Sequence, residues 1–120
     1  MSGFDRSAET AVFYEDVEIG ATYVTGRRTI SQDEIRRFGE LTGDMTPIHM
    51  DEDFCRNGPF GRPIAHGAFG MSLMSGLKSQ LHLYDISSVA ALGWKELRYR
   101  APLLAGDTVH AEARYASKRL

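Results

Sequence analysis

Between Pro63 and Leu83 the chain reads Pro-Ile-Ala-His-Gly-Ala-Phe-Gly-Met-Ser-Leu-Met-Ser-Gly-Leu-Lys-Ser-Gln-Leu-His-Leu, and from Gly67 to Leu77 it carries no charged side chain. Its apolar and small residues keep to no single face, so the stretch predicts a helix that is apolar all round and therefore buried. Lys78 closes the run far short of the roughly 20 apolar residues that a membrane-spanning helix needs. Gly70 and Gly76 each cost about 1 kcal/mol of helix propensity relative to Ala, which a close approach by other backbone would offset, as when a sheet wraps the helix. The first N–H groups of such a helix have no intrahelical partner and sit at the positive end of its dipole. Around Ala65 to Ala68 the sequence therefore predicts a dry anion-stabilising site.

The rest of the chain must supply that sheet. With 120 residues it is long enough for one domain with a modest core, read as a single unit over 1–120 with residues 1–12 a flexible arm. The formal net charge is −2 and the arginines come in scattered pairs, Arg27-Arg28 and Arg36-Arg37, which argues against nucleic acid as a partner and leaves local contact with a cofactor phosphate open. Cys55 is the single cysteine, so an intrachain disulfide and a cysteine-based metal site are excluded and a reducing compartment fits. The N-terminus has no apolar secretory segment, so the expected location is cytoplasmic, with no membrane partner.

Phe13 to Gly20 reads as an extended lead-in, and Ala21 to Ile30, rich in β-branched and aromatic residues, as a first strand with a bulge at Gly26. Ser31-Gln32-Asp33-Glu34 has the form of a capping box ahead of Ile35, Phe38 and Leu41, whose spacing predicts one apolar helix face ending near Thr42-Gly43. Residues 43–62 are loop-rich, with one helical turn expected over Asp51 to Arg56; a stretch this long usually carries function. After the central helix, alternation predicts a long strand within Ser87 to Arg100, a turn with a Gly-Asp tip over Pro102 to Asp107, and a half-exposed strand over Thr108 to Ser117. The chain then stops at Lys118-Arg119-Leu120, which leaves that strand's free edge uncovered unless another chain completes it or the protein is a shortened version of a longer one.

Chemistry concentrates in Thr42-Gly43-Asp44-Met45-Thr46-Pro47-Ile48-His49. Pro47 stiffens this turn. Asp44 and His49 can be read two ways, as an Asx-turn with a surface histidine or as a carboxylate–imidazole pair for general acid–base work. The second gains from a motif further along the chain, because Pro63-Ile64-Ala65-His66-Gly67 enters the buried helix whose free amides suit an oxyanion. Such a pair beside such a site is what water addition across an activated double bond requires. His66 alone reads as a structural hydrogen bonder, and Gly67 offers its N–H and a missing side chain. Ser72 and Ser75 are expected to bond the backbone four residues back, although one could bond a catalytic carboxylate. His82 and His110 read as surface residues. No nucleophile elbow, phosphate-binding loop or metal-ligand spacing among the histidines is present.

Phe38-Gly39-Glu40-Leu41-Thr42-Gly43-Asp44-Met45-Thr46-Pro47-Ile48-His49-Met50-Asp51, followed by Phe60-Gly61-Arg62-Pro63-Ile64-Ala65-His66-Gly67, resembles the signature of the MaoC-like dehydratases, which include the (R)-specific enoyl-CoA hydratases. The likeness extends from about Tyr14 to Ser117. It implies an α+β hotdog fold, an antiparallel sheet around a long central helix, usually dimeric or a higher oligomer, with the C-terminal strands shortened here. By the same likeness Asp44 and His49 are the catalytic pair, the Gly67 amide is the oxyanion donor and Ser75 supports the pair. The implied reaction is reversible syn addition of water to a trans-2-enoyl thioester of coenzyme A or acyl carrier protein, with no metal and no cofactor beyond that carrier. Thr46 departs from the family, which has Asn there. The rival reading is a non-catalytic hotdog subunit that binds an acyl chain or completes a partner's sheet; a third keeps the enzyme with a specialised acyl or polyketide substrate. Phe69, Met71, Met74 and Trp94 are candidates to line the pocket.

Overall fold

The computed structural model describes residues 11–120; the rest of the expected arm lies outside the described residues. A 3-10 turn at Tyr14–Asp16 leads into β1 (Thr22–Val24) and β2 (Arg28–Thr29). Helices α1 (Gln32–Thr42), α2 (Pro47–Met50), α3 (Glu52–Arg56) and α4 (Gly67–Ser79) follow, and β3 (Thr108–Val109) and β4 (Glu112–Arg114) end the order.

β1 pairs antiparallel with β4, Tyr23 opposite Ala113, and β2 with β3, Arg28 opposite Val109. The two ladders are one long antiparallel pair interrupted by a bulge, since Thr25 to Arg27 on one side face only His110 and Ala111 on the other. This is where the sequence placed a bulge, but it divides both expected strands, Ala21 to Ile30 and Thr108 to Ser117. Buried Thr25 bridges the gap: its N–H donates to Ala111 O (2.9 Å), and its hydroxyl accepts from Ala111 N (2.8 Å) and donates to Gly26 O (2.9 Å). A side chain thus replaces the ladder bond that a bulge removes. At the far end, Ile30 N donates to Asp107 O (3.0 Å) and Gly106 N to Ile30 O (2.8 Å), with Gly106 at φ +92° in the expected Gly-Asp tip.

The capping box closes as the sequence predicts, Glu34 N to Ser31 Oγ at 3.1 Å and Ser31 N to Glu34 Oε1 at 3.0 Å. Gly43 ends α1 at φ +82°, a conformation that favours glycine. Only part of the predicted face is inside, however. Ile35 is fully buried and Phe38 partly, whereas Leu41 is 85% exposed, because α1 ends one residue later and its last turn overhangs the core. Ile30, Ile35, Ala65, Phe69 and Leu73 form that core, with Phe38, Leu103, Ala105 and Val109 against it. Each fully buried isoleucine contributes about 1.5–3 kcal/mol.

Two expectations need correction. α4 is buried along one stripe only, Phe69, Leu73 and Leu77, while Ala68, Ser72, Ser75 and Gly76 face outward. No strand forms over 87–100, and every residue from 88 to 102 is exposed. The causes are linked: a strand is held by a neighbour's backbone, and none of the described residues offers one alongside this stretch, so α4 is covered on a single side.

Candidate active site

Three segments meet at the N-terminal end of α4. Ile64 N donates to Ile48 O (3.0 Å) and Ala65 N to Leu103 O (2.7 Å), which stitch the α2 turn and the 103–107 turn to the approach to α4. Pro47 opens α2 at its first position, where the missing N–H costs nothing. Asp51 caps α3 by accepting from Phe54 N (3.0 Å), so the expected single turn at 51–56 is a short helix. Cys55, buried under α2, bonds Ile48 O (3.3 Å), and burial pushes its thiol up, which makes it an inert packing group. Gly39 lets the turn come close: a Cβ there would lie 2.7 Å from Met50 Sδ and 3.0 Å from Asp44 O.

Within this frame Asp44, His49 and His66 converge, one potential ligating atom of each lying within 4.8 Å of the others. His49 Nδ1 donates to Ile64 O (2.8 Å). A carbonyl can only accept, so this bond fixes the neutral tautomer and leaves Nε2 with a free lone pair. His66 Nε2 likewise donates to the main-chain O of Asp44 (2.9 Å), and the His66 ring stacks on that of His49 at 4.0 Å between centroids. Asp44 Oδ1 accepts from the Thr46 hydroxyl (2.6 Å) and amide (3.3 Å). These two bonds, the hydroxyl first, hold the Asp44 carboxyl below its ordinary range, with smaller help from both imidazoles. Thr46, the departure from the family motif, thus serves Asp44 directly. Two imidazoles and a carboxylate so placed could also take a metal ion, a possibility that residue spacing alone did not reveal. Each imidazole already gives its N–H to a carbonyl, which suits ligation and proton transfer alike.

Gly67 opens α4, so its N–H has no acceptor within the helix, and Phe69 N and Gly70 N turn back to His66 O. A Cβ on Gly67 would lie 2.7 Å from the Tyr99 ring. His49 and Gly67 both line an open cleft of about 560 Å³ whose apolar wall includes Phe60, Ile64, Met71 and Leu103, with Arg98 and Arg100 also on its lining. Of the pocket candidates, Met71 lines this cleft and Phe69 belongs to the core; Trp94 and Met74 are not among the lining residues. Ser75 is two helical turns from Gly67 and borders a separate depression with Lys78, Tyr84 and Asp85. Ser72 makes the expected bond to Ala68 O (2.8 Å). His82 and His110 are exposed beside Asp85 and Glu112. Sequence reasoning missed Gly39, Tyr99 and the two arginines. The alternation through 94–100 was visible, but nothing in it said which face meets Gly67.

A helix packed by one stripe on an antiparallel pair, with the Asp44–His49 turn held against the helix N-terminus, is of the α+β hotdog class, as the solved structures below bear out. The family model for the MaoC-like domain matches residues 15–120, and the chain belongs to that family. It is 35% identical over 105 residues to a 3-hydroxybutyryl-CoA dehydratase of Methylorubrum extorquens, covering 88% of this chain and 64% of the relative. It is 37% identical over 86 residues to an (R)-specific enoyl-CoA hydratase of Aeromonas caviae, covering 72% and 62%. The chain thus spans less than two thirds of these curated relatives. Among solved structures, the (R)-hydratase of A. caviae superposes with a TM-score of 0.72 at 30% identity over 88% of this chain and 76% of that one. An Archaeoglobus protein named a monoamine oxidase regulatory protein does so at 0.78 and 36%, over 87% and 70%.

Proposed function

We propose that the chain catalyses reversible hydration of a trans-2-enoyl thioester to a 3-hydroxyacyl thioester. The carrying observation is the convergence of Asp44, its carboxyl held below the ordinary range, with His49, together with the place of His49 and Gly67 on one cleft. No hydrogen bond or ion pair joins Asp44 to His49 among the described residues, although a potential ligating atom of each lies within 4.8 Å of the other, and in this reading the substrate water binds between them. In the proposed step the pair takes a proton from that water as its oxygen bonds to Cβ. The Cα=Cβ electrons move toward the thioester oxygen, where the Gly67 N–H donates, and a proton returns to Cα on the same face. Hydroxyl and proton reach the same face, so the addition is syn; one water is consumed whole, so the step needs no cofactor beyond the carrier. Arg98 and Arg100 suit the phosphates of coenzyme A, and the apolar wall suits a short acyl chain. The names of the M. extorquens and A. caviae relatives support the same chemistry. A second copy of the chain is the proposed cover for the exposed 88–102 face.

Purified protein with crotonyl-CoA should lose absorbance at the enoyl band, and Asp44→Asn or His49→Ala should slow this by about 10²–10⁴-fold with circular dichroism unchanged. No loss with any chain length would point instead to the acyl-binding subunit, a reading that the uncovered 88–102 face favours.

A further inference from the structure

We infer that His66 is a positioning residue, which fixes the separation of Asp44 and His49 and the plane of the His49 ring; the inference rests on the reading of that pair as the acid–base machinery. His66 is 3% exposed, deeper than either partner. It holds the pair from two sides. Its Nε2–H ties down the main chain of Asp44, and its ring lies flat beneath His49 while Phe38 wedges it from behind at 5.1 Å. Its Nδ1 is buried with no hydrogen-bond partner among the described residues. Leaving a buried acceptor unmet costs about 1–3 kcal/mol, and an apolar ring of the same size would avoid that cost. What such a ring would lack is the N–H, so the N–H toward Asp44 is what the histidine contributes. The bond goes to the carbonyl and leaves the Asp44 carboxylate free. His66 borders the cleft but is almost wholly buried, and it acts through where it holds the Asp44 main chain. Outer groups of this kind typically change activity by about 10–100-fold when lost.

Two variants separate positioning from mere packing. His66→Phe keeps the ring and the stack but removes the N–H; His66→Gln keeps a donor near Nε2. The expected result is a kcat about 10–100-fold lower for His66→Phe with KM changed by less than about threefold, and recovery of most of the loss in His66→Gln. Imidazole ¹⁵N shifts of the wild-type protein at pH 8 should report the proton of His66 on Nε2, and in His66→Phe the His49 ring and the Asp44 and Thr46 amides should shift or broaden. A proton on Nδ1, or His66→Phe turning over like wild type, overturns the inference. Equal losses in both variants, tracking a common fall in melting temperature, also overturn it in favour of packing. Inactive wild type with the expected tautomer and amide shifts would fail the hydratase reading and leave the positioning role standing, so the two failures are distinguishable.

Discussion

The two ends of α4 are built on opposite principles. At the N-terminal end, Gly67 lies beneath Tyr99, His66 is buried, and three chain segments are stitched together by main-chain bonds. At the C-terminal end, Ser75, Gly76 and Ser79 face outward, and the chain runs on into a stretch where Val89 and Leu92 are each 99% exposed. The helix carries no charged side chain from Gly67 to Leu77, across most of both halves. What differs is whether the surrounding chain returns to it, so burial here is set largely by topology, and the candidate site lies at the end that the chain revisits.

Among substitutions that probe the contrast between the two ends, Gly67→Ala should have the largest effect. Its Cβ would press on the far edge of the Tyr99 ring, which is itself 61% exposed and free to swing away, so the stability cost should stay near the low end of overpacking, about 1 kcal/mol. The ring would swing within the cleft, and the new methyl would stand beside the amide proposed to meet the thioester oxygen. The N–H itself remains, so the expected fall in kcat comes from blocked access to it and reaches at most the roughly 10²–10³-fold of a lost oxyanion donor. Enoyl-band kinetics beside a melting curve checks this, and a large loss of stability with little loss of rate would reverse the assignment.

Arg98 and Arg100 belong to the stretch without a sheet partner yet line the same cleft as His49 and Gly67. Arg98→Ala/Arg100→Ala should raise KM for crotonyl-CoA about tenfold or more, in the range of a lost charge-assisted contact, and leave KM for crotonyl-pantetheine, which has no diphosphate, unchanged. Equal rises for both substrates would mean that the arginines shape the cleft and do not meet phosphate.

Thr46→Val tests the electrostatics of the well-held end. Removing the hydroxyl takes away the largest cause of Asp44's depressed pKa. The acid limb of the kcat/KM profile should therefore move to higher pH, toward the ordinary aspartate range. The stability linkage has the same sign. A depressed folded pKa contributes stability that is present above the unfolded-chain value and lost as pH falls through the folded one, so the variant should lose less stability on acidification than wild type. An unmoved acid limb would detach Asp44 from the rate.

What the sequence made legible divides along the same line. The capping box, the Gly43 stop and the helix from Gly67 depend on groups within a few residues of one another, and all are present; the bulge near Gly26 is present too, flagged by its glycine but completed across the ladder by Ala111. The Gly-Asp-Met-Thr-Pro-Ile-His stretch was legible as a stiff turn that brings Asp44 and His49 close, because Pro47 and the residue types fix it locally. The outward face of α4, the exposure of Leu41 and the missing strand over 87–100 were illegible for one reason. Alternation and helical period describe which side chains could share a face, not whether another segment arrives to cover it. His66 was half legible: the motif placed it at the helix entry, but its bond to the Asp44 carbonyl joins residues 22 apart.

Gly76→Ala is the smallest expected effect and the sharpest contrast with Gly67. A Cβ at Gly76 meets nothing within 4 Å. In a helix interior Ala is favoured over Gly by about 0.5–1 kcal/mol, chiefly because glycine surrenders more backbone freedom on folding. If the outward face of α4 stays open in solution, Gly76→Ala should raise stability by that amount in chemical denaturation and leave turnover unchanged. A loss of stability would mean that another backbone lies against Gly76 in the assembled protein, because only close approach makes the missing methyl worth keeping. The sign of one small free-energy change thus decides whether the C-terminal half of the helix is exposed or covered by another chain.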